Sequence, residues 1–436
     1  MKVLWLVNRI LPMFYTDLGI KETNFGGGWL TGLLNALVKN EDIELAVSAP
    51  MNNISKIMDG KTGGVSYFFY PEKNVRNYDA GIIPYFQEIS ARYEPDVIHI
   101  FGTEYPRTLE MIDAVGADRI LISLTGILTE YLCEFRCDVP EQYFKKHAPL
   151  RAISKIHPKL RFLCNRLLSY MEDDFKSRAV FEIQSVKKAK YVSGRTTFDK
   201  TFAKRENPGI LYFFCNESLR ESFYTYRKWD YRGCQPHSIF ISNAGYPIKG
   251  FHKVIEACGR IKQFYPDMQI YVAGNSPFSG IPGIKGKLIE VTDEYAMYLR
   301  KLTKENDLFD RIHYLGNLDE KGMAERFLDA NVFVLPSSAE NSPNSLGEAM
   351  LLGVPCIASN VGGVAEMMLN EEEGLVFPYH DVSALANAIR FLFDNPPKAA
   401  EFGRNAIAHA EMTHDPEKNS AEMKEIYTSI VRENQQ

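Results

Sequence analysis

NVFVLPSSAENSPNSLGEAMLLGVPCIAS, residues 331–359, contains a short β-rich run, an irregular loop of small residues, a helix-forming stretch and a second β-rich run. The first run ends at Leu335 and Pro336, and the helix is expected to begin near Pro343 to Ser345, where proline suits a first turn. Apolar runs this short and continuous suit strands of a sheet covered on both faces. Outward from this unit the pattern repeats in HSIFIS (237–242), MQIYVAG (268–274), RIHYLG (311–316) and EGLVFP (373–378). Between the first two, FHKVIEACGRIKQF (251–264) places Phe251, Val254, Ile255, Cys258 and Ile261 on one helical face. Strands alternating with helices predict a parallel, doubly wound sheet.

The first half has the same rhythm. VLWLV (3–7), IELAVS (43–48), VSYFFY (65–70), DVIHIF (96–101) and RILISL (119–124) are strand candidates, and YVSGRTTFDKTFA (191–203) returns to a strand and a helix. A basic, helical stretch occupies about 141–190, and WDYRGCQPHS (229–238) is dense in turn formers and has neither period, as a linker would. The expected architecture is α/β, with two Rossmann-like domains of doubly wound parallel sheet facing across a cleft: residues 1–228 and residues 236–412. The remaining 413–436 form an amphipathic helix with no strand to serve, expected to pack back on the N-terminal domain.

Composition agrees with a globular chain. At 436 residues, with 45% hydrophobic and 24% charged residues, it has material for two or three domains and is neither disordered nor collagen-like. No apolar run reaches the ~18 residues of a membrane span. The opening MKVLWLVNRILPMF is broken by Asn8 and Arg9 and suits a buried first strand better than a signal peptide. Seven scattered cysteines, of which only Cys133 and Cys137 lie close, suggest reduced thiols in a cytoplasmic protein and no metal site. From Lys145 to Arg205, 16 Lys/Arg stand against 5 Asp/Glu, within a chain of net charge −5. This basic stretch includes KLRFLCNRLLSY (159–170), and it reads either as a solvated helical face or as a docking surface for an anionic membrane.

Candidate chemistry concentrates in 331–366. Glu340 lies in the loop before the helix and Glu348 one turn inside it. A helix N-terminus offers unsatisfied N–H groups and partial positive charge, which favour phosphate. Carboxylates beside phosphate need other partners, and sugar or ribose hydroxyls are suitable, since a carboxylate accepts two hydrogen bonds from a vicinal diol. The alternative is a capped surface helix with two solvated glutamates.

The spacing from Glu340 to Glu348 after LPS, with the tail EAMLLGVPCIASNVGGVAE, resembles the E-x7-E signature of retaining GT-B glycosyltransferases of family 4. The resemblance covers most of the second half and reaches the first half more weakly, through FGGGW (25–29) and GRTTFD (194–199). It implies that Glu340 contacts the donor sugar, that Glu348 holds ribose hydroxyls, and that Asn344, Ser345 and Leu346 present backbone donors to sugar and phosphate. A K-G-F element in ISNAGYPIKGFHKVIEA (241–257) corresponds to the family's phosphate lysine, here Lys249. The family's arginine about five positions earlier is replaced by Ala244, so either Lys249 acts alone or Arg195 supplies a second charge. The family also sets a glycine loop against the donor phosphates, which points to Gly27 and Gly28.

Other assignments are thinner. Gly316 and Asn317, in HYLGNL, are placed to bind a base through backbone atoms, and Glu104, in FGTEYP, is a candidate for an acceptor hydroxyl. His99 suits a satisfied buried histidine, and where relatives often carry a loop histidine this chain has Thr125, so no catalytic histidine is assigned. The sequence has no D-x-D element to hold a diphosphate through a cation, so metal independence and no cofactor are expected, with a nucleotide-diphosphate sugar as substrate. The resemblance thus implies a retaining, metal-independent transferase of hexosyl type. It would act on a sugar or lipid-linked acceptor in cell-surface polysaccharide or glycolipid synthesis, in the cytoplasm or peripherally at the membrane, with no nucleic-acid partner. A GT-B epimerase or phosphorylase, and a non-catalytic sugar-nucleotide-binding protein, remain alternatives.

Overall fold

The structure, a computed structural model, describes residues 1–20, 28–72, 75–145, 164, 166–274, 276 and 292–435. These form two compact units, the first comprising Met1–Thr129, Lys176–Glu221 and Met412–Gln436, the second Glu130–Phe175 and Ser222–Glu411. Residues 130–175, grouped with the first half by the sequence reading, therefore belong with the second unit.

In the first unit the strands are β1 (Lys2–Leu6), β2 (Glu44–Met51), β3 (Met58–Thr62), β4 (Val65–Pro71), β5 (Val97–Phe101), β6 (Ile120–Ser123), β7 (Tyr191–Gly194) and β8 (Leu211–Phe214). Their order is β3-β4-β2-β1-β5-β6-β7-β8, and the order reverses between β1 and β5. All neighbours run parallel except β3, which pairs antiparallel with β4. Neither β3 nor β8 was anticipated. β3 (MDGKT) has no apolar run, because an edge strand on a hairpin needs little burial.

Side-chain alternation splits this sheet between two cores. Val3, Trp5 and Val7 join Leu33, Leu37, Met423, Tyr427 and Ile430 on one face. Leu4 and Leu6 join Phe86, Ile89, Met111 and Phe202 on the other. Helix Gly28–Val38 and the C-terminal helix Pro416–Gln435 thus share the first face. Each fully buried large apolar side chain stabilises this arrangement by about 1.5–3 kcal/mol.

A buried polar chain fastens the C-terminal helix within the first unit. Trp5 Nε1 donates to the Tyr427 hydroxyl at 3.1 Å, and His99 Nδ1 lies 2.7 Å from the same oxygen. His99 Nε2 continues to Ser123 Oγ at 2.6 Å, and Ser123 Oγ to Ser193 Oγ at 2.6 Å. The chain runs through β1, β5, β6 and β7, and His99 is a satisfied core histidine, neutral because burial holds it down to about 3.

The second unit carries β9 (Ser238–Ile241), β10 (Gln269–Val272), β11 (Ile312–Tyr314), β12 (Val332–Leu335), β13 (Cys356–Ser359) and β14 (Leu375–Phe377). All six correspond to the apolar runs of the second half. They pair in parallel in the order β11-β10-β9-β12-β13-β14, which reverses between β9 and β12. In an open α/β sheet the loops leaving the carboxyl ends of the two strands at such a reversal diverge to opposite faces and leave a crevice for ligands. Here those loops are 242–250 and 336–343. Among the described residues no helix is long and apolar enough to cross a membrane.

Replacing Tyr427 with Phe strands the indole N–H of Trp5 and one ring nitrogen of His99 inside the core. Chemical denaturation is expected to report a loss of about 1–3 kcal/mol. A second expectation concerns acid. His99 sits near 3 when folded and near ~6.5 in an unfolded chain, so its contribution is complete above about pH 6.5 and is lost as pH falls towards 3. Glu110 and Glu182, both raised to about 7 by burial, push the opposite way. The decisive measurement is therefore a difference: the stability gap between wild type and His99→Asn should narrow as pH drops from 7 to 4.

Candidate functional site

The two loops at the reversal in the second sheet touch through backbone atoms. After β9, a single 3-10 turn (Pro247–Lys249) ends at Gly250, whose φ of +65° opens helix Phe251–Ile261. A Cβ at Gly250 would lie 1.7 Å from the carbonyl oxygen of Pro336, so glycine is required by both conformation and space. Two residues on, Ser338 N donates to Ile248 O at 2.8 Å. The loops are thereby locked in register.

This register brings Lys249 to Glu340. Lys249 Nζ lies 2.5 Å from Glu340 Oε1, and Ser337 Oγ donates to the same oxygen at 2.7 Å. Ser337 is held in turn, since Ser359 Oγ at the end of β13 donates to its carbonyl. The side chains of Lys249 and Glu340 are only 20% and 8% exposed. Burial pulls the Lys249 ammonium down, but Glu340, with Tyr246 and Tyr131 near it, outweighs burial and holds it well above the ordinary lysine value.

Helix Asn344–Leu352 follows directly, with Pro343 as its N-cap and no side-chain hydrogen bond from that residue. Glu348, one turn in, is buried, as is Glu340. Neither is the solvated surface glutamate of the alternative reading. Leu346 has its side chain in the core and its N–H on Pro343 O at 2.9 Å. Asn344 and Ser345 occupy the first turn beside it.

The other sequence candidates sit on other elements of the chain. Gly316, with φ +71°, follows the edge strand β11 and accepts a hydrogen bond from Gly274 N at 2.7 Å, with Asn317 exposed beside it. Arg195, Glu104 and Gly28 belong to the first unit. Gly28 opens helix Gly28–Val38, while Gly27 lies outside the described residues. Arg195 is committed to an internal pair, its guanidinium 3.0 Å from Glu217. The surrounding GRTTFD is a helix start: Thr196 accepts from Asp199 N at 3.2 Å, and Asp199 accepts from Arg195 N at 2.9 Å. Glu104 accepts from Thr125 Oγ1 at 2.7 Å, joining the loops after β5 and β6. Burial raises its carboxyl, while Thr125 and the backbone amides of Glu104 and Gly126 act against that rise.

Sequence reasoning missed a buttress. Cys137 and Asp138 both adopt left-handed backbone, with φ of 49° and 62°. Nearby contacts over-determine that turn. His252 Nε2 lies 2.8 Å from Cys137 O, the Tyr379 hydroxyl donates to the same carbonyl at 3.2 Å, and Cys137 Sγ lies 2.7 Å from Ser338 Oγ. Asp138 takes Lys253 Nζ and His380 Nδ1, each at 2.8 Å. The turn thus presses on Ser338, two residues from Glu340. Burial lifts the Cys137 thiol to about 12, against hydrogen bonds from Ser338 and Tyr379, so it serves as packing and not as a nucleophile. No spacing rule marks this turn, because His252, Tyr379, Ser338, Lys253 and His380 lie over a hundred residues away.

Residues 233–409 match the family Glycosyl transferases group 1. Over 113 residues the chain is 30% identical to "D-inositol 3-phosphate glycosyltransferase 2" of Catenulispora acidiphila, covering 26% of each chain. The chain therefore spans about a quarter of that relative's length. Sucrose-phosphate synthase from Thermosynechococcus elongatus superposes with a TM-score of 0.70 at 17% identity, over 99% of this chain and 100% of that one. Anabaena HepE in complex with UDP-glucose gives 0.63 at 16% identity, over 98% and 100%.

Gly250→Ala places a side chain against the Pro336 carbonyl in a left-handed conformation. It is expected to lower the unfolding free energy by at least about 2 kcal/mol, read by denaturant titration. Residues 233–409 thus carry a glycosyl transferases group 1 domain, in a chain built of two α/β units with the fold of GT-B glycosyltransferases.

Proposed function

We propose that this chain is a retaining glycosyltransferase that moves a sugar from a nucleoside-diphosphate sugar to a hydroxyl acceptor. The second unit would bind the donor and the first the acceptor. The observation that carries this reading is the meeting of Lys249 and Glu340 at the strand-order reversal, directly before the N-terminus of helix Asn344–Leu352. A cation and helix amides suit a diphosphate, and buried carboxylates suit ring hydroxyls. The group 1 domain over the same residues supports it, as does likeness in fold to a protein described in complex with UDP-glucose.

Glycosyl transfer proceeds through an oxocarbenium-like transition state while negative charge builds on the departing diphosphate. Fixed N–H dipoles and the Lys249 ammonium stabilise that charge without reorganising. Glu340 orients the sugar and Glu348 the ribose. With the front-face attack that retention implies, the leaving phosphate itself accepts the acceptor's proton, so no separate base is required. The absence of a D-x-D element from the sequence supports a reaction without a metal.

The acceptor is proposed to be a sugar or a lipid-linked sugar in surface polysaccharide or glycolipid synthesis, reached in the cytoplasm. Contact with anionic membrane rests on the basic stretch 145–205, of which residues 146–163 and 165 lie outside the described residues. Binding to anionic vesicles that falls sharply with salt would support docking.

Thermal-shift screening against UDP-, GDP- and ADP-sugars is expected to raise the melting temperature with one nucleotide class, because a ligand of the native state stabilises it by mass action. Glu340→Ala and Lys249→Ala should each lower transfer at least about tenfold, equivalent to ~1.4 kcal/mol in the barrier. Unchanged turnover in both would show that the donor binds elsewhere.

A further inference from the structure

The ammonium assigned to the donor diphosphate already has an anion. Glu340 Oε1 sits 2.5 Å from Lys249 Nζ, and Ser337 Oγ, at 2.7 Å, holds that carboxylate oxygen from another side. Both side chains are largely screened from water, so the interaction is neither diluted by solvent nor readily replaced by it. The main chain that carries the carboxylate is held as well, since Gly363 N reaches Glu340 O at 3.4 Å and Asn341 O at 3.1 Å. Lys249 and Ser337 therefore both hold the Glu340 carboxylate in place as a second anion approaches.

We propose that Glu340 is a gate on the diphosphate site. Its ion pair with Lys249 disfavours a nucleoside diphosphate that lacks a sugar and admits one that carries it. This rests on the donor site proposed above. A bare diphosphate must share the lysine with a fixed carboxylate of like charge. A donor sugar changes that balance, because its hydroxyls donate to Glu340 and take over the role of the ammonium, leaving Lys249 to the phosphates. Once the sugar has been transferred those hydroxyls depart, Glu340 recaptures Lys249, and the nucleoside diphosphate loses its main cation. The same pair thus sets selectivity for the sugar-bearing form and hastens product release. Discrimination of this kind works by an unfavourable contact with the wrong ligand as well as a favourable one with the right ligand.

Isothermal titration of UDP, GDP, ADP and their sugar conjugates into the full-length wild type, Glu340→Gln and Glu340→Asp tests the gate. Glutamine keeps the shape and the acceptor for Ser337 but removes the charge. Aspartate keeps the charge and withdraws it by one methylene, so it reads the same interaction if the glutamine variant folds poorly. The nucleoside diphosphate bound by wild type should bind Glu340→Gln at least about tenfold more tightly, and Glu340→Asp to an intermediate degree. The preference of wild type for the sugar-bearing form should shrink by a similar factor in Glu340→Gln, and Lys249→Met should weaken both forms. Wild-type binding that is unchanged or weaker in both Glu340 variants would overturn the gate and leave the transferase reading standing. If none of the proteins binds any nucleoside diphosphate, the donor site itself is wrong and the gate falls with it.

Discussion

A glycine against a carbonyl sets the geometry on which the second unit depends. The strand order β11-β10-β9-β12-β13-β14 makes the loops after β9 and β12 neighbours at their point of divergence. Gly250 then allows the backbone of one to lie against Pro336 of the other, and Ser338 N fixes their register on Ile248 O. The contact between Lys249 and Glu340 follows from that approach. Without it Lys249 and Glu340 would be two charged residues on separate loops, 91 positions apart in the chain.

Holding two opposite charges together in a poorly hydrated place is favourable only when the surrounding polar groups are also satisfied. Ser337 does this directly for Glu340, and Ser359 holds Ser337 in place through its carbonyl. The turn at Cys137 and Asp138 does it indirectly, by packing on Ser338. Two consecutive residues in left-handed backbone are locally unfavourable, and here hydrogen bonds to His252 and Tyr379 and the pairing of Asp138 hold them in place. The segment 130–145 is best understood as a support for the loop that bears Glu340, supplied from a distant part of the chain.

In the first unit the organising device is different. There the sheet face that receives the C-terminal helix contains a continuous set of polar side chains, from Trp5 through Tyr427 and His99 to Ser123 and Ser193. Each member is buried and each is partnered, so the chain adds directional specificity to a face that is otherwise apolar. An apolar helix could slide along such a sheet, whereas Tyr427 engages it at one position. Arg195 and Glu104, expected to reach ligand, are engaged within this unit with Glu217 and Thr125.

The local pattern alone was enough to locate β9 to β14 and most of the first sheet, because continuous apolar runs between helical stretches report burial on two faces. It also placed Glu340 in the loop before a helix and Glu348 one turn inside it, whereas Lys249 stood out only through the resemblance to a known family. It was silent on β3, whose polar edge carries no hydrophobic signal, and on the membership of residues 130–175 in the second unit. Which groups engage Lys249, Arg195 and Glu104 was equally out of reach, and so was the left-handed turn that props Ser338. Those depend on partners up to hundreds of residues distant, such as Tyr379 for Cys137 and Tyr427 for His99. Spacing along a chain encodes periodicity and local turns, whereas the pairing of charges and the filling of cores are settled only when remote segments are brought within a few ångströms of one another.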